Sequence, residues 1–182
     1  MAVSELAYDV EGWGRGTVWV ADGLLVWHEL PSPRDDFSSS GAPQPTTHCE
    51  SIVKKRTNAR PDRADSVTIA QQVVERVRDF FAGGRVGFDD VPIDLEWCTD
   101  FQRAVAGTLR TVPYGETVSY GELAALAGYP NAHRAAGTFC AHNRLPLVLP
   151  CHRVVAAGGI GGYGSLGEGF KRRLLGLEGV RM

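Results

Sequence analysis

Apolar positions along the chain change their period more than once, and each change marks a different element. Thr17-Val18-Trp19-Val20 and Leu24-Leu25-Val26-Trp27 are short runs of β-branched, aromatic and aliphatic residues. Asp22-Gly23 stands between them and suits a type I′ turn, which needs positive φ. Residues 16–30 are therefore read as a hairpin. From residue 66 the period becomes helical. Ile69, Val73, Val77 and Phe80 recur along one face, Ser66 is placed to cap, and Gly83-Gly84 ends the helix. These apolar residues are read as core.

The second half carries denser signals. Thr99-Asp100-Phe101-Gln102 has the form of a capping box, with Phe101, Val105 and Leu109 as an apolar stripe behind it. Pro113-Tyr114-Gly115 stops that helix. Ser119-Tyr120-Gly121-Glu122 is a second capping box, opening a short helix with Leu123, Leu126 and Ala127 facing inward. Gly128-Tyr129-Pro130 breaks it, and Asn131 is read as the cap of a further helix reaching about Cys140. Two short helices joined by a glycine-containing turn predict a helix-turn-helix.

Between hairpin and first helix, residues 31–65 are rich in Pro, Ser and charge, and only Ser51-Ile52-Val53 hints at a strand. A connection this long is read as a variable surface loop. The 182 residues allow one large domain or two small ones, and 43% hydrophobic with 22% charged residues is the balance of a soluble globular protein. No apolar stretch approaches the ~20 residues of a membrane span. Met1–Val10 carries Glu5 and Asp9 and lacks the basic start of a secretory signal, so a cytoplasmic location is expected, beside the nucleoid if the cell is prokaryotic. The four cysteines, Cys49, Cys98, Cys140 and Cys151, include no C-x-x-C pair and are read as free thiols. Residues 1–91 hold 10 Lys/Arg against 14 Asp/Glu, and residues 92–182 hold 9 against 7. That tilt points to the C-terminal half as any nucleic-acid face.

The second helix of the helix-turn-helix is unusual. Such helices ordinarily present long polar side chains to the major groove, whereas this one offers Ala135, Ala136 and Gly137 after a single Arg134. A smooth surface of that kind suits close entry into the minor groove, with the arginine as a probe where a base has left the stack. Equally, the alanines can pack against the first helix and leave Arg134 solvated.

Pro150-Cys151-His152-Arg153 follows the apolar run Leu147-Val148-Leu149. A thiol beside an imidazole has what nucleophilic catalysis requires, since a free thiol with a pKa of ~8.5 is only slightly ionised at neutral pH. In an extended segment, neighbouring side chains point apart, so contact between the two needs a turn or a bridging water. The alternative is a small buried hydrophobe next to a satisfied core histidine.

Pro150-Cys151-His152-Arg153-Val154-Val155 resembles the active-site signature of the O6-alkylguanine-DNA alkyltransferases, the methylated-DNA–protein-cysteine methyltransferases. The resemblance runs from about Phe101 to Gly179. It includes Pro113 to Tyr120, Leu123 to Gly128, Arg134-Ala135-Ala136-Gly137, and Asn143 eight residues before Cys151. It implies a small α/β N-terminal domain (a sheet plus a helix, residues 1–91, with the 31–65 loop). A mainly α C-terminal domain with helix-turn-helix and active-site loop would follow at residues 92–182. It also implies Cys151 as alkyl acceptor, His152 as base through a water, Glu178 as the orienter of that histidine, and Tyr120 as proton donor to the guanine. Asn143 would tie the helix-turn-helix to the active-site loop. Arg134 would be the finger that fills the vacated stack, with Ala135, Ala136, Gly137, Tyr120 and Arg153 on the DNA. Pro146, Val154, Tyr163 and Ser165 would line the substrate pocket, although Ser165 follows Tyr163 by two positions where a serine often follows directly. The implied partner is double-stranded DNA carrying O6-alkylguanine, met by a monomer without cofactor. His28, His48 and Cys49 form no recognisable zinc set, so no metal is expected. A damage-binding module without chemistry, a transcriptional regulator and a thiol hydrolase are the other classes considered. The first is opposed by Cys151, the second by the lack of base-reading side chains, and the third by the lack of any specified acyl pocket.

Overall fold

The computed structural model describes residues 3–33 and 63–182, so His48, Cys49 and most of the 31–65 segment lie outside it. The fold combines a small antiparallel sheet with helices, and divides into two compact units. One comprises Met1–Arg78 with Asp90–Asp94, the other Asp79–Asp89 with Leu95–Met182.

The first unit is a three-stranded antiparallel meander, β1 (Val3–Val10), β2 (Gly14–Ala21) and β3 (Leu24–Ser32), in that spatial order. The expected hairpin is its second half: Trp19 pairs with Trp27 and Ala21 with Leu24. Asp22 and Gly23 take φ of 50° and 73°, the positive values a type I′ turn requires. β1 pairs along its whole length with β2, a strand that the sequence reading does not include. Tyr8 is fully buried and its hydroxyl lies 2.6 Å from His28 Nε2. A Cβ on Gly16 would come within 2.5 Å of that hydroxyl, so no other residue fits there without displacing the tyrosine.

Helix α1 (Arg63–Phe81) buries Val73, Val77 and Phe80 of the expected stripe, with Ala70 and Val74 beside them, while Ile69 is only half-buried. Ser66 is not its cap. The helix starts earlier, and Ser66 is buried with its Oγ accepting from Gly23 N at 3.0 Å, which fastens the helix to the hairpin turn. Pro92–Asp94 bonds to Leu25 on both sides, through Leu25 N to Pro92 O and Asp94 N to Leu25 O.

The second unit contains α2 (Asp100–Arg110), β4 (Val118–Ser119), α3 (Tyr120–Leu126), α4 (His133–Ala141), a single 3-10 turn (Cys151–Arg153), β5 (Val154–Val155) and α5 (Gly167–Leu177). Both capping boxes form. Thr99 and Gln102 exchange bonds at the start of α2, and Ser119 and Glu122 do so at the start of α3. Asn131 is not a cap. It adopts φ 71°, and α4 begins after Ala132 without a side-chain cap. Leu126 is also not inward: it is 68% exposed, while Leu123 and Ala124 are buried. The short parallel pair β4–β5, with Val118 opposite Val154 and Ser119 opposite Val155, sets Tyr120 next to the chain leaving the Cys151 turn.

Candidate active site and nucleic-acid interface

Leu147, Val148 and Leu149 are buried and lead into Pro150. There the chain coils tightly rather than staying extended: Cys151 N donates to Leu149 O at 2.7 Å and Arg153 N to Pro150 O at 2.9 Å. The resulting turn removes the alternation expected of a strand. Cys151 is 4% exposed. Its Sγ accepts from Asn143 Nδ2 at 3.1 Å, and the same amide nitrogen donates to Leu149 O at 2.8 Å while Asn143 Oδ1 accepts from Leu145 N at 3.0 Å. Asn143 thus closes the loop that carries the thiol. Burial pushes the Cys151 thiol up, and the Asn143 amide, the Tyr163 hydroxyl and the Lys171 ammonium pull it back toward the thiolate.

His152 is fully buried, with Nε2 2.8 Å from Glu178 Oε1. Burial would raise the Glu178 carboxyl. The bonds from His152, Arg153 and Gly115 N overcome that and hold it at about 2. An ionised carboxylate only accepts, so the proton of neutral His152 sits on Nε2 and the lone pair on Nδ1. That nitrogen has no hydrogen-bond partner among the described residues. Burial also lowers the His152 pKa, only partly opposed by Glu178, which keeps the ring neutral and able to accept a proton. No hydrogen bond joins imidazole to thiol, so any proton exchange between them would need a bridging water or a small rotation.

Arg153, expected on DNA, instead turns its guanidinium inward: Nε and Nη2 donate to Glu178 at 2.9–3.1 Å and Nη1 to Val112 O at 2.7 Å. Its charge neutralises the buried carboxylate. Ala136 is likewise buried, so it packs inside the helix pair instead of facing a groove. Arg134 and Ala135 are exposed on the first turn of α4. Gly137 sits over Tyr120, where a Cβ would meet the ring at 3.8 Å. The Tyr120 hydroxyl is held protonated, with its pKa raised first by burial and then by Cys140 and Cys151. A Cβ on Gly161 would approach that hydroxyl at 3.5 Å. Tyr163 stacks on Phe170 at 6.1 Å. Val154 is buried, Pro146 half-buried and Ser165 exposed.

Lys171 was missed. It is fully buried on α5, and its Nζ donates to Val154 O at 2.5 Å, with Gly162 O at 3.4 Å. Burial lowers its pKa, and Cys151 and Cys140 oppose the shift. The signal was periodicity: Lys171 is in phase with the buried Leu174, Leu175 and Glu178. A cavity of about 710 Å³ lined by Arg85, Arg110, Tyr114, Pro150 and Arg153 does not include Cys151. Among the described residues no cluster of His, Cys, Asp or Glu is arranged to hold a metal, and no helix is long and apolar enough to cross a membrane.

A buried thiol with its own amide donor, a carboxylate-bound histidine one residue away and a helix-turn-helix in the same unit define a class of thiol-dependent proteins built around a DNA-binding motif. Residues 100–180 match the family model described as the 6-O-methylguanine DNA methyltransferase DNA-binding domain. The methylated-DNA–protein-cysteine methyltransferase of Mycobacterium bovis is 48% identical over 87% of this chain and 94% of its own. That of Methanothermobacter thermautotrophicus is 38% identical over 71% and 70%. The crystal structure of Mycobacterium tuberculosis OGT in complex with DNA superposes with a TM-score of 0.71 at 33% identity, covering 96% of this chain and 92% of that one. An O6-methylguanine-DNA methyltransferase from Pyrococcus kodakaraensis shares the fold, with a TM-score of 0.64 at 23% identity over 98% of this chain and 99% of that one. The chain belongs to the methylated-DNA–protein-cysteine methyltransferase family, a family of transferases.

Proposed function

We propose that this protein repairs DNA by moving the alkyl group of O6-alkylguanine irreversibly onto its own Cys151, one transfer per molecule. The observation that carries this reading is the arrangement at one turn of chain: Asn143 donating to Cys151 Sγ, and His152 held by Glu178 with Nδ1 left as the base. His152 takes the thiol proton through a water. The thiolate attacks the alkyl carbon, an S–C bond forms, and the C–O6 pair departs with guanine. Tyr120, which keeps its proton at neutral pH, donates to that leaving group, so the thiol proton is in balance carried to guanine. The product is a thioether with no carbonyl for water to attack, and no side chain here offers a route back.

The target atom lies inside the duplex, so the base must leave the stack. Exposed Arg134 is read as the finger that fills the gap, with Ala135 and Gly137 giving α4 the smooth face that the minor groove admits. Pro146, Val154 and Tyr163 are read as the walls of the alkyl pocket; Ser165 is exposed and adds least. In this reading residues 1–91 form the α/β domain and 92–182 the domain that binds DNA and takes the alkyl group. The protein works as a cytoplasmic monomer without cofactor.

Incubation with a duplex carrying O6-methylguanine, followed by intact mass measurement, should add one methylene at Cys151, and none in Cys151→Ala. Repeated turnover, or no gain in mass, would overturn the reading. Arg134→Ala should slow repair of the duplex far more than reaction with free O6-benzylguanine. Equal slowing of both would remove the finger.

A further inference from the structure

The second unit contains a stack of side chains that the chemistry above leaves unused. The Arg144 guanidinium carbon stands 4.4 Å from the centroid of the Trp97 ring, and Trp97 stacks on Phe139 with planes 11° apart and centroids 6.0 Å apart. The three residues come from different segments: Trp97 precedes α2, Phe139 is on the buried face of α4, and Arg144 opens the loop that leads to Cys151. A planar, weakly hydrated guanidinium on an indole is the most favourable of the cation–aromatic pairs. Arg144 is the one residue between Asn143 and Leu145, and Leu145 N is the donor that fixes Asn143 Oδ1. The Asn143 amide can aim at Cys151 Sγ only while its own backbone and that of Leu145 hold their places.

We propose that Trp97 and Arg144 are positioning residues for alkyl transfer, their stack holding the loop so that Asn143 keeps donating to Cys151 Sγ. The proposal rests on the reading of Cys151 as the alkyl acceptor. It also gives the helix-turn-helix a physical link to the thiol, since Phe139 is part of α4. Neither Trp97 nor Arg144 touches the reacting atoms. They act through Asn143, and their loss should be read in the ionisation of the thiol.

The test uses the full chain and two probes. Iodoacetamide labelling of Cys151 across pH, mapped by peptide mass, reports the thiolate fraction whether or not the protein acts on DNA. Trp97→Leu and Arg144→Gln should each move the rise in labelling rate to higher pH, slowing it about tenfold at neutral pH while the alkaline plateau stays. Trp97→Phe and Arg144→Lys should restore most of the wild-type profile. Trp97→Leu added to Asn143→Ala should shift the profile no further than Asn143→Ala alone. A wild-type profile in folded Trp97→Leu, or a shift that adds to that of Asn143→Ala, overturns the proposal. If Trp97→Leu does not fold, Arg144→Gln decides alone, because its side chain is only half-buried. The second probe, a duplex with O6-methylguanine, separates the two readings. Failure of the wild type to take the methyl group removes the alkyl acceptor, whereas an unshifted iodoacetamide profile removes only the stack.

Discussion

Lys171 shows how much a single buried charge can be asked to do. Its ammonium lies in the interior, bonds Val154 O beside the active turn, and favours the Cys151 thiolate through a poorly screened interior. Lys171→Met keeps the volume and removes the charge. The thiol should then ionise at higher pH, so the rate with free O6-benzylguanine should fall at neutral pH and recover as pH rises. Losing the donor to Val154 O should also cost about 1–3 kcal/mol of folding stability, read by urea denaturation. A lower stability with an unmoved pH–rate profile would make Lys171 structural only. At this scale Cys151, His152, Glu178 and Asn143 were legible because they sit in blocks of recognisable order. Arg153 and Lys171 were not, because a charged letter carries no mark of burial. Both sit inside only because partners distant in sequence await them: Glu178 and Val112 for the one, Val154 and Gly162 for the other.

Among the elements, the signals that survived were those whose physics is local. Both capping boxes close within four residues, and the Asp22-Gly23 turn needs only its own φ values. The cap of α3 matters doubly, since Ser119 also ends the strand that pairs with β5 and is followed at once by Tyr120. Ser119→Ala removes the acceptor for Glu122 N and should lower stability by about 1 kcal/mol, visible as a reduced Tm, whereas Ser119→Asp should retain most of it. Equal Tm values for Ser119→Ala and the wild type would mean that β4–β5 pairing alone holds this end of α3. Where a signal depended on tertiary context, the local reading failed. Ser66 had a capping letter but found a partner in Gly23 across the unit, Asn131 took a turn conformation instead of a cap, and Leu126 stayed exposed where the short α3 had no neighbour to cover it. β1 was legible in principle, as Leu6, Tyr8 and Val10 alternate with Ala7 and Asp9. Its charged outer face obscured it.

For the molecule as a whole, the buried His152–Glu178–Arg153 cluster makes stability depend on pH, and the sign follows from which state binds protons. Burial depresses the His152 pKa below its ordinary 6.5, so below that pH the unfolded chain takes up a proton that the folded ring resists. Stability is therefore lost as pH falls through this range. Glu178 adds a second, lower step. Its ordinary value is 4.5 and its folded value about 2, so its contribution is complete above 4.5 and disappears as pH falls from there toward 2. Calorimetry from pH 8 to pH 3 should show Tm declining first below about pH 6.5 and again, more steeply, below about pH 4.5. His152→Gln supplies an amide donor to Glu178 without a titrating ring. It should be less stable at pH 7 yet lose little between pH 7 and pH 5, while keeping the steep loss below 4.5. A wild-type Tm that stays level from pH 7 to pH 5 would show that the folded state accommodates protonated His152 beside Arg153. The folded ring would then keep its ordinary pKa, and the base assigned to Nδ1 would be lost to protonation only as pH falls below about 6.5.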